Sequence, residues 1–148
     1  MENVDGLLTQ AKSGLHSLEV SQKYVDSAMK WLKVWLTDDA FSDYVPQIKH
    51  LIKAENWKVL LDSFYQVIPF GTGGRRGLVG VGPNRINTWT IQASAQGHCQ
   101  YLIRQYGDEA QQRGVVLTFD VRKYTQTGIY DDTLPNPVMN LDGLQLAT

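Results

Sequence analysis

Apolar and polar positions follow a helical period through the first part of the chain. Tyr24, Ala28, Leu32 and Trp35 recur at i, i+4, i+8 and i+11, with Met29 and Leu36 widening the stripe, which is the pattern of an amphipathic helix. Asp38-Asp39 closes that run, and a helix terminus or solvated turn accounts for the paired acids. Tyr44-Val45 leads to Pro46, whose fixed φ and missing N–H suit the first turn of the next helix, where Ile48, Leu51 and Ile52 share a face. Glu55 opens a further stretch that turns Trp57, Leu60, Leu61 and Phe64 inward. Helices this short hold their shape by packing on one another or on a larger body. Trp31, Trp35 and Trp57 keep helical spacing and are expected in a core rather than in a ligand box.

Pro69 begins a different texture. Six of the twelve residues from Gly71 to Gly82 are glycine. Leu78-Val79 has the makings of a short strand, and Pro83-Asn84 is a turn signal. A strong helix follows, capped by Asn87 or Thr88. Its stripe is Ile91, Ala95, Cys99, Leu102 and Tyr106, which places Cys99 in the expected core, and Gly107 stands where a terminating glycine belongs. Arg113-Gly114 then turns into Val115-Val116-Leu117-Thr118-Phe119, the nearly continuous apolar run of a strand buried on both faces. Asp120 ends that run, at the strand edge where ligands gather in open α/β sheets.

Residues 123–140 are rich in Tyr, Thr, Asp, Asn and Pro and read as a long loop. Leu141 and Leu144 begin another helical pattern. The whole predicts an α/β fold, with a helical extension over residues 1–66 and an α/β portion over 67–148. A βαβ unit needs a crossover helix and a second parallel strand. Neither follows Phe119, so the C-terminus reads as cut. A strand without a partner beside an unfinished helix predicts self-association.

Composition narrows the function classes. An apolar fraction of 43% rules out a wholly disordered chain. A net charge of −1 argues against a general binder of nucleic acid or anionic membranes. The aromatic residues follow core spacing, which also argues against a single-strand stacking platform. No apolar run approaches the ~18 residues of a membrane span. Met1-Glu2-Asn3-Val4-Asp5 lacks the basic start of a secretory signal. The expectation is a cytoplasmic protein. One cysteine excludes an internal disulfide framework and a multi-cysteine zinc site. His98 and Cys99 are helix neighbours that face different directions, and His16 and His50 lack a partner motif, so none predicts a metal or catalytic site.

Charge is unevenly placed. Every arginine lies between Arg75 and Arg122, and no acid occurs from Ser63 through Gly107. Within that stretch stands Gly71-Thr72-Gly73-Gly74-Arg75-Arg76-Gly77. Glycines let the backbone approach a ligand closely, and consecutive N–H groups can converge on an oxyanion. Two guanidiniums add forked donors and Thr72 a hydroxyl. The combination fits a phosphate or phosphosugar. A structural turn that exposes its arginines is the alternative. Gly-Lys is absent, so no P-loop is present. Arg76 occupies the third glycine position of a dinucleotide fingerprint.

Phe70-Gly71-Thr72-Gly73-Gly74-Arg75-Arg76-Gly77 resembles the Phe-Gly-Thr-Ser/Ala-Gly-Leu-Arg-Gly segment of the α-D-phosphohexomutases, the phosphoglucomutase and phosphomannomutase family. Gly73 replaces the usual Ser or Ala, and Arg75 the usual Leu. Gly82-Pro83-Asn84-Arg85-Ile86-Asn87 resembles the Gly-x-Asn-Arg-Met-Asn of the branch that contains bacterial phosphoglucomutases and phosphopentomutase. Arg113-Gly114 and the apolar run ending in Asp120-Val121-Arg122 resemble the family's first buried strand and its Asp-x-Arg ending. Order and spacing agree over about residues 65–148.

The resemblance implies an incomplete phosphohexomutase domain I, a mixed sheet with flanking helices. It implies interconversion of hexose 1-phosphate and hexose 6-phosphate, with glucose first and pentose phosphate as a variant. The route runs through a phosphoserine and a sugar bisphosphate. Arg76 matches the arginine beside the phosphoserine and would offset charge on the transferring group. Thr72, Gly73, Gly74 and Arg75 would form the phosphate-binding wall, with Asp120 and Arg122 in support. The family's Thr-x-Ser-His-Asn-Pro nucleophile loop is absent: Ser94 is the last serine and His98 the last histidine. Mg2+ is implied for the full-length enzyme, yet the Asp-x-Asp-x-Asp loop is also missing. Asp131-Asp132 are adjacent and Asp142 is distant. The 148 residues alone are therefore expected to be inactive. A non-catalytic phosphosugar-binding or regulatory module is the rival reading.

Overall fold

The computed structural model describes residues 3–147. Asn3 starts the first helix, its side chain accepting from the Asp5 N–H at 3.0 Å. Helix α1 (Val4–His16) buries Leu7, Ala11 and Leu15, one residue per turn on one face. Helix α2 (Gln22–Thr37) buries Val25, Ala28, Leu32, Trp35 and Leu36. The stripe is rotated slightly from the expected one: Val25 is inside, while Tyr24 is half open to water. A 3-10 helix (Asp39–Tyr44) carries Phe41 and Tyr44 inward, and helix α3 (Val45–Lys53) follows without a break, with Pro46 in its first turn. Helix α4 (Trp57–Phe64) closes the bundle. Gly14 is required here: a Cβ on it would stand 2.2 Å from the Trp57 indole.

Trp35 is the centre of this core and is fully buried. It stacks on Phe41 at 4.3 Å and meets Tyr44, Phe64 and Trp89 edge-on at 5.0–5.7 Å. Trp31 and Trp57 are half-buried and pack against the same cluster, as their helical spacing predicts.

The second part is less regular. Strands β1 (Phe70–Gly71) and β2 (Gly74–Arg75) pair antiparallel, Phe70 with Arg75 and Gly71 with Gly74. Helix α5 (Thr88–Tyr106) follows, capped by Asn87 and ended by Gly107 in a positive-φ conformation. Helix α6 (Glu109–Arg113) and helix α7 (Gly143–Ala147) are one turn each. Leu78-Val79 forms no strand; Val79 makes one parallel bridge to Ile86. The long stretch 123–140 is a loop, yet it contributes Tyr130 and Val138 to the core. Gln47, fully buried on α3, ties this loop to the bundle. Its amide donates to the carbonyls of Asp131, Leu134 and Pro135 and accepts from the Asp131 N–H, at 2.9–3.3 Å. No helix among the described residues is long and apolar enough to cross a membrane.

Two expectations are corrected. The fold is mostly helical with a small open two-stranded sheet, because residues 115–119 do not form the expected buried strand. Their backbone makes no main-chain hydrogen bonds, and Val116 is 91% exposed. A strand is defined by a hydrogen-bonded partner; the start of α7 packs against Phe119 and Asp120, but no described segment pairs its backbone with this one. For the same reason Cys99 is exposed rather than in the core. Beyond its first turn α5 has only the short α6 and α7 to pack against, so Tyr101, Ile103 and Tyr106 also face water.

Candidate functional site

The glycine–arginine segment forms the two-stranded hairpin, and its tip is Thr72-Gly73. Both tip residues are exposed. Gly74 has φ +142°, a backbone conformation that side-chain-bearing residues rarely adopt. It directs the chain so that Arg75 lies half-buried, with Nη1 donating to the Thr90 carbonyl at 3.5 Å. The Arg75 Nε–H is enclosed without a hydrogen-bond partner. Arg76 is exposed, and neither arginine has a carboxylate partner among the described residues.

Both arginines line a groove of about 780 Å3, together with Leu117, Thr118, Phe119, Asp120, Arg122 and Lys123 and with Gly143, Leu146 and Ala147 of α7. The structure therefore brings Arg75, Arg76, Asp120 and Arg122 to one cavity. Thr72, Gly73 and Gly74 do not line it. Arg122 closes back on Asp120: its Nε–H donates to the carboxylate at 2.6 Å and its backbone N–H at 3.0 Å. That guanidinium holds the Asp120 carboxyl below the usual carboxylate range. Lys123 stands 3.6 Å from Asp142. The lining thus carries Arg75, Arg76, Arg122 and Lys123 against Asp120 and Asp142. The groove is locally cationic in a chain whose net charge is −1, and its unpaired cations are the two on the hairpin. The arrangement suits an anion with several oxygens.

The start of α5 borders the groove through Ile91, and a capping box takes up the Asn87 and Thr90 N–H groups. Asn87 accepts from the Thr90 N–H at 3.0 Å, while the Thr90 hydroxyl accepts from the Asn87 N–H at 3.1 Å, a closed capping box. The same Asn87 amide donates to the carbonyls of Gly80 and Gly82, both at 2.9 Å. Arg85 is buried and paired with Asp62 on α4 at 2.6 Å. Gly82 has φ +116°, and a Cβ there would meet the Ser63 carbonyl oxygen at 2.6 Å. Tyr130 accepts the Val81 N–H at 2.8 Å. Residues 80–90 are thus a buried corner that fastens the groove to the helical bundle. One signal for this is visible in sequence: Asn87 as a cap. The Arg85 partner is hidden there, because Asp62 stands one residue before the acid-free stretch.

Among the described residues, no group of three or more His, Cys, Asp or Glu is placed to hold a metal ion. His50 Nδ1 lies 3.8 Å from Asp131, and His16 engages the Lys12 carbonyl at 2.7 Å and Gln22 at 3.1 Å. A second cavity, about 530 Å3, lies between Leu18, Tyr24, Leu61 and Tyr65 on the helical bundle and holds none of the arginines.

The chain is similar over part of its length to several α-D-phosphohexomutase superfamily enzymes. It is 37% identical to the phosphopentomutase of Homo sapiens over 94 residues, which cover 64% of this chain and 15% of that protein. It is 36% identical to the glucose 1,6-bisphosphate synthase of Mus musculus over 88 residues, 60% of this chain and 14% of that protein. It is 32% identical to a phosphoglucomutase of Staphylococcus aureus over 75 residues, 51% of this chain and 13% of that protein. The matched region therefore spans about 15% or less of the length of these curated relatives. No family model matches the chain, and no solved structure does.

Proposed function

We propose that the chain supplies the phosphate-binding wall of a sugar-phosphate isomerase of the phosphohexomutase type. The enzyme it serves interconverts hexose 1-phosphate and hexose 6-phosphate, glucose being the preferred sugar. Residues 67–148 are part of the first domain and residues 1–66 a helical extension of it. The observation that carries this reading is the cationic groove that holds Arg75 and Arg76, taken together with similarity to enzymes named for pentose, glucose and glucose bisphosphate chemistry.

Arg76 is the principal anion contact. It is exposed and unpaired, so it reaches a phosphoryl group without first giving up a carboxylate. Its fork offsets charge as the phosphoryl group moves between a serine oxygen and a sugar oxygen. Arg75, anchored on Thr90, holds the groove wall and adds charge. Thr72, Gly73 and Gly74 complete the phosphate-binding loop at the hairpin tip. Arg122, already held by Asp120, shapes the far side. The phosphorylated serine comes from outside these residues, so the 148-residue chain binds and does not turn over. No described residue cluster fits Mg2+, and no step here passes through a metal.

The test is calorimetric titration of the chain with inorganic phosphate and with glucose 1,6-bisphosphate. Saturable binding of the bisphosphate that is lost in Arg76→Ala supports the reading. Absence of binding by the folded chain overturns it. Binding without turnover when glucose 1-phosphate is supplied agrees with a non-catalytic element, whereas turnover would locate a nucleophile within the chain.

A further inference from the structure

The lining of the groove is divided by chemistry. Its cations without a carboxylate partner among the described residues are Arg75 and Arg76 on the hairpin. Much of the remaining lining is hydrocarbon: Ile86, Ile91 and Leu146 are half-buried, and Leu141 is buried. The carboxylates that could accept from a sugar are already engaged. One Asp120 oxygen accepts the Arg122 backbone N–H and the other its Nε–H. Asp142 accepts the Gln145 N–H at 3.0 Å and faces Lys123 at 3.6 Å. The Tyr124 hydroxyl is enclosed, and Thr118 offers an exposed one.

A hexose phosphate in this groove sets most of its hydroxyls against apolar side chains, and a polar group that gives up water without a new partner is penalised. A phosphate ester with a hydrocarbon body meets no such penalty and gains from burial. We propose that the groove takes a second class of ligand, a soluble phosphate monoester with an apolar body of about six carbons, a size in keeping with its volume. It binds such an ester more tightly than a hexose phosphate, with the phosphate on Arg76 and the hydrocarbon against Ile91 and Leu146. The inference rests on the reading of Arg76 as the anion contact.

Titration calorimetry of the 148-residue chain with inorganic phosphate, glucose 6-phosphate and hexyl phosphate tests the proposal. Hexyl phosphate keeps the carbon count of a hexose phosphate and none of its hydroxyls. It is expected to bind about tenfold more tightly than glucose 6-phosphate, the equivalent of about two buried methylenes. Ile91→Gln and Leu146→Gln each narrow that preference by about threefold or more, and Arg76→Ala weakens every phosphate by about tenfold or more. Circular dichroism checks folding, and the two apolar substitutions lie on different helices, so either one decides if the other unfolds. Equal affinity for the two esters, with both lost in Arg76→Ala, overturns this inference and leaves the phosphate reading standing. No binding of any phosphate by the folded chain overturns that reading and this inference with it. Hexyl phosphate binding that is unchanged in Arg76→Ala overturns the inference, because hydrocarbon alone would then be captured. Binding to phosphatidylcholine vesicles that carry phosphatidic acid, without binding of monomeric hexyl phosphate, also overturns it, since the ligand would then be a membrane.

Discussion

Asp62 and Arg85 meet at 2.6 Å with unequal exposure: the guanidinium side is 7% open to water and the carboxylate side 56%. Arg85 Nη1 also donates to the Asp62 and Asn84 carbonyls, at 3.3 and 3.2 Å. The inequality makes the two partners differ in what their loss leaves behind. Without Asp62 a charge is stranded in the interior; without Arg85 a carboxylate returns to water. Asp62→Ala is expected to cost about 2–3 kcal/mol, a reduced form of the usual buried-pair penalty because the acid is half solvated. Arg85→Met is expected to cost only about 1 kcal/mol, since the stem's packing is kept. Urea unfolding of both variants measures the order, and a larger loss in Arg85→Met would show that the guanidinium's hydrogen bonds outweigh its charge.

Glycines that look alike in sequence differ in what they permit. Gly82 combines φ +116° with the close Ser63 carbonyl, so Gly82→Ala should lose at least about 2 kcal/mol through backbone strain and displacement of the α4 end. Gly73 has open space where a Cβ would stand, with nothing within 4 Å, and no positive φ. It should accept alanine with a change below about 1 kcal/mol. Melting temperatures of the two variants decide whether the corner or the hairpin tip carries the rigid part of the glycine-rich stretch.

Within the groove, the hairpin arginines are expected to separate. Arg76→Ala should weaken phosphate-ester binding by about tenfold or more, the value of a lost charge-assisted contact. Arg76→Lys should recover part of the affinity, because the charge remains and the fork does not. Arg75→Leu should be milder on affinity, since Arg75 is committed to Thr90. Titration calorimetry on folded variants checks the ranking, and a greater loss in Arg75→Leu would exchange the two roles.

Tyr130 carries an alkaline limit. Burial pushes its phenol up to about 12. The folded value lies above the ordinary tyrosine value of 10.0, so the contribution is complete below that ordinary value and is lost as pH rises through the folded one. Ultraviolet titration at the phenolate band should show a late tyrosine that vanishes in Tyr130→Phe. The same variant leaves the Val81 N–H without its acceptor and should cost about 1–3 kcal/mol at neutral pH. A Tyr130→Phe protein with an unchanged titration would assign the late phenol to Tyr44 or Tyr124, which burial also raises.

Legibility followed the range of the forces involved. Helical spacing found the core side chains Trp35, Ile48, Leu60 and Phe64, because a helix satisfies its own backbone and its period is local. Asn87 and Gly107 were readable for the same reason. Residues 115–119 have the composition of a strand, but pairing depends on a second segment that their own pattern does not contain. The hairpin at 70–75 hides behind glycines whose reading as a ligand cradle is equally local. The fastening of the groove by Asp62, Gln47 and Tyr130 joins residues far apart in the chain, and single-residue chemistry does not announce such pairs. The groove's arginines stand out through the acid-free stretch, whereas the separation of Arg75 and Arg76 from Thr72 and Gly73 arises from the hairpin's tertiary placement, which the local sequence does not encode.

The Gln47 clasp has a consequence in time. Its acceptor and donor groups lie 84–88 residues further along the chain. At ribosomal speeds of roughly 5–20 residues per second, the bundle, complete at Phe64, waits about 3–14 seconds for them, far longer than the microseconds in which helices form and collapse together. The nascent bundle therefore assembles with a hydrated amide at its flank, and water holds that place until the loop arrives to expel it. Docking of the loop is a separate, late event in the birth of the molecule, and it dries the Gln47 amide and the Val81 N–H together.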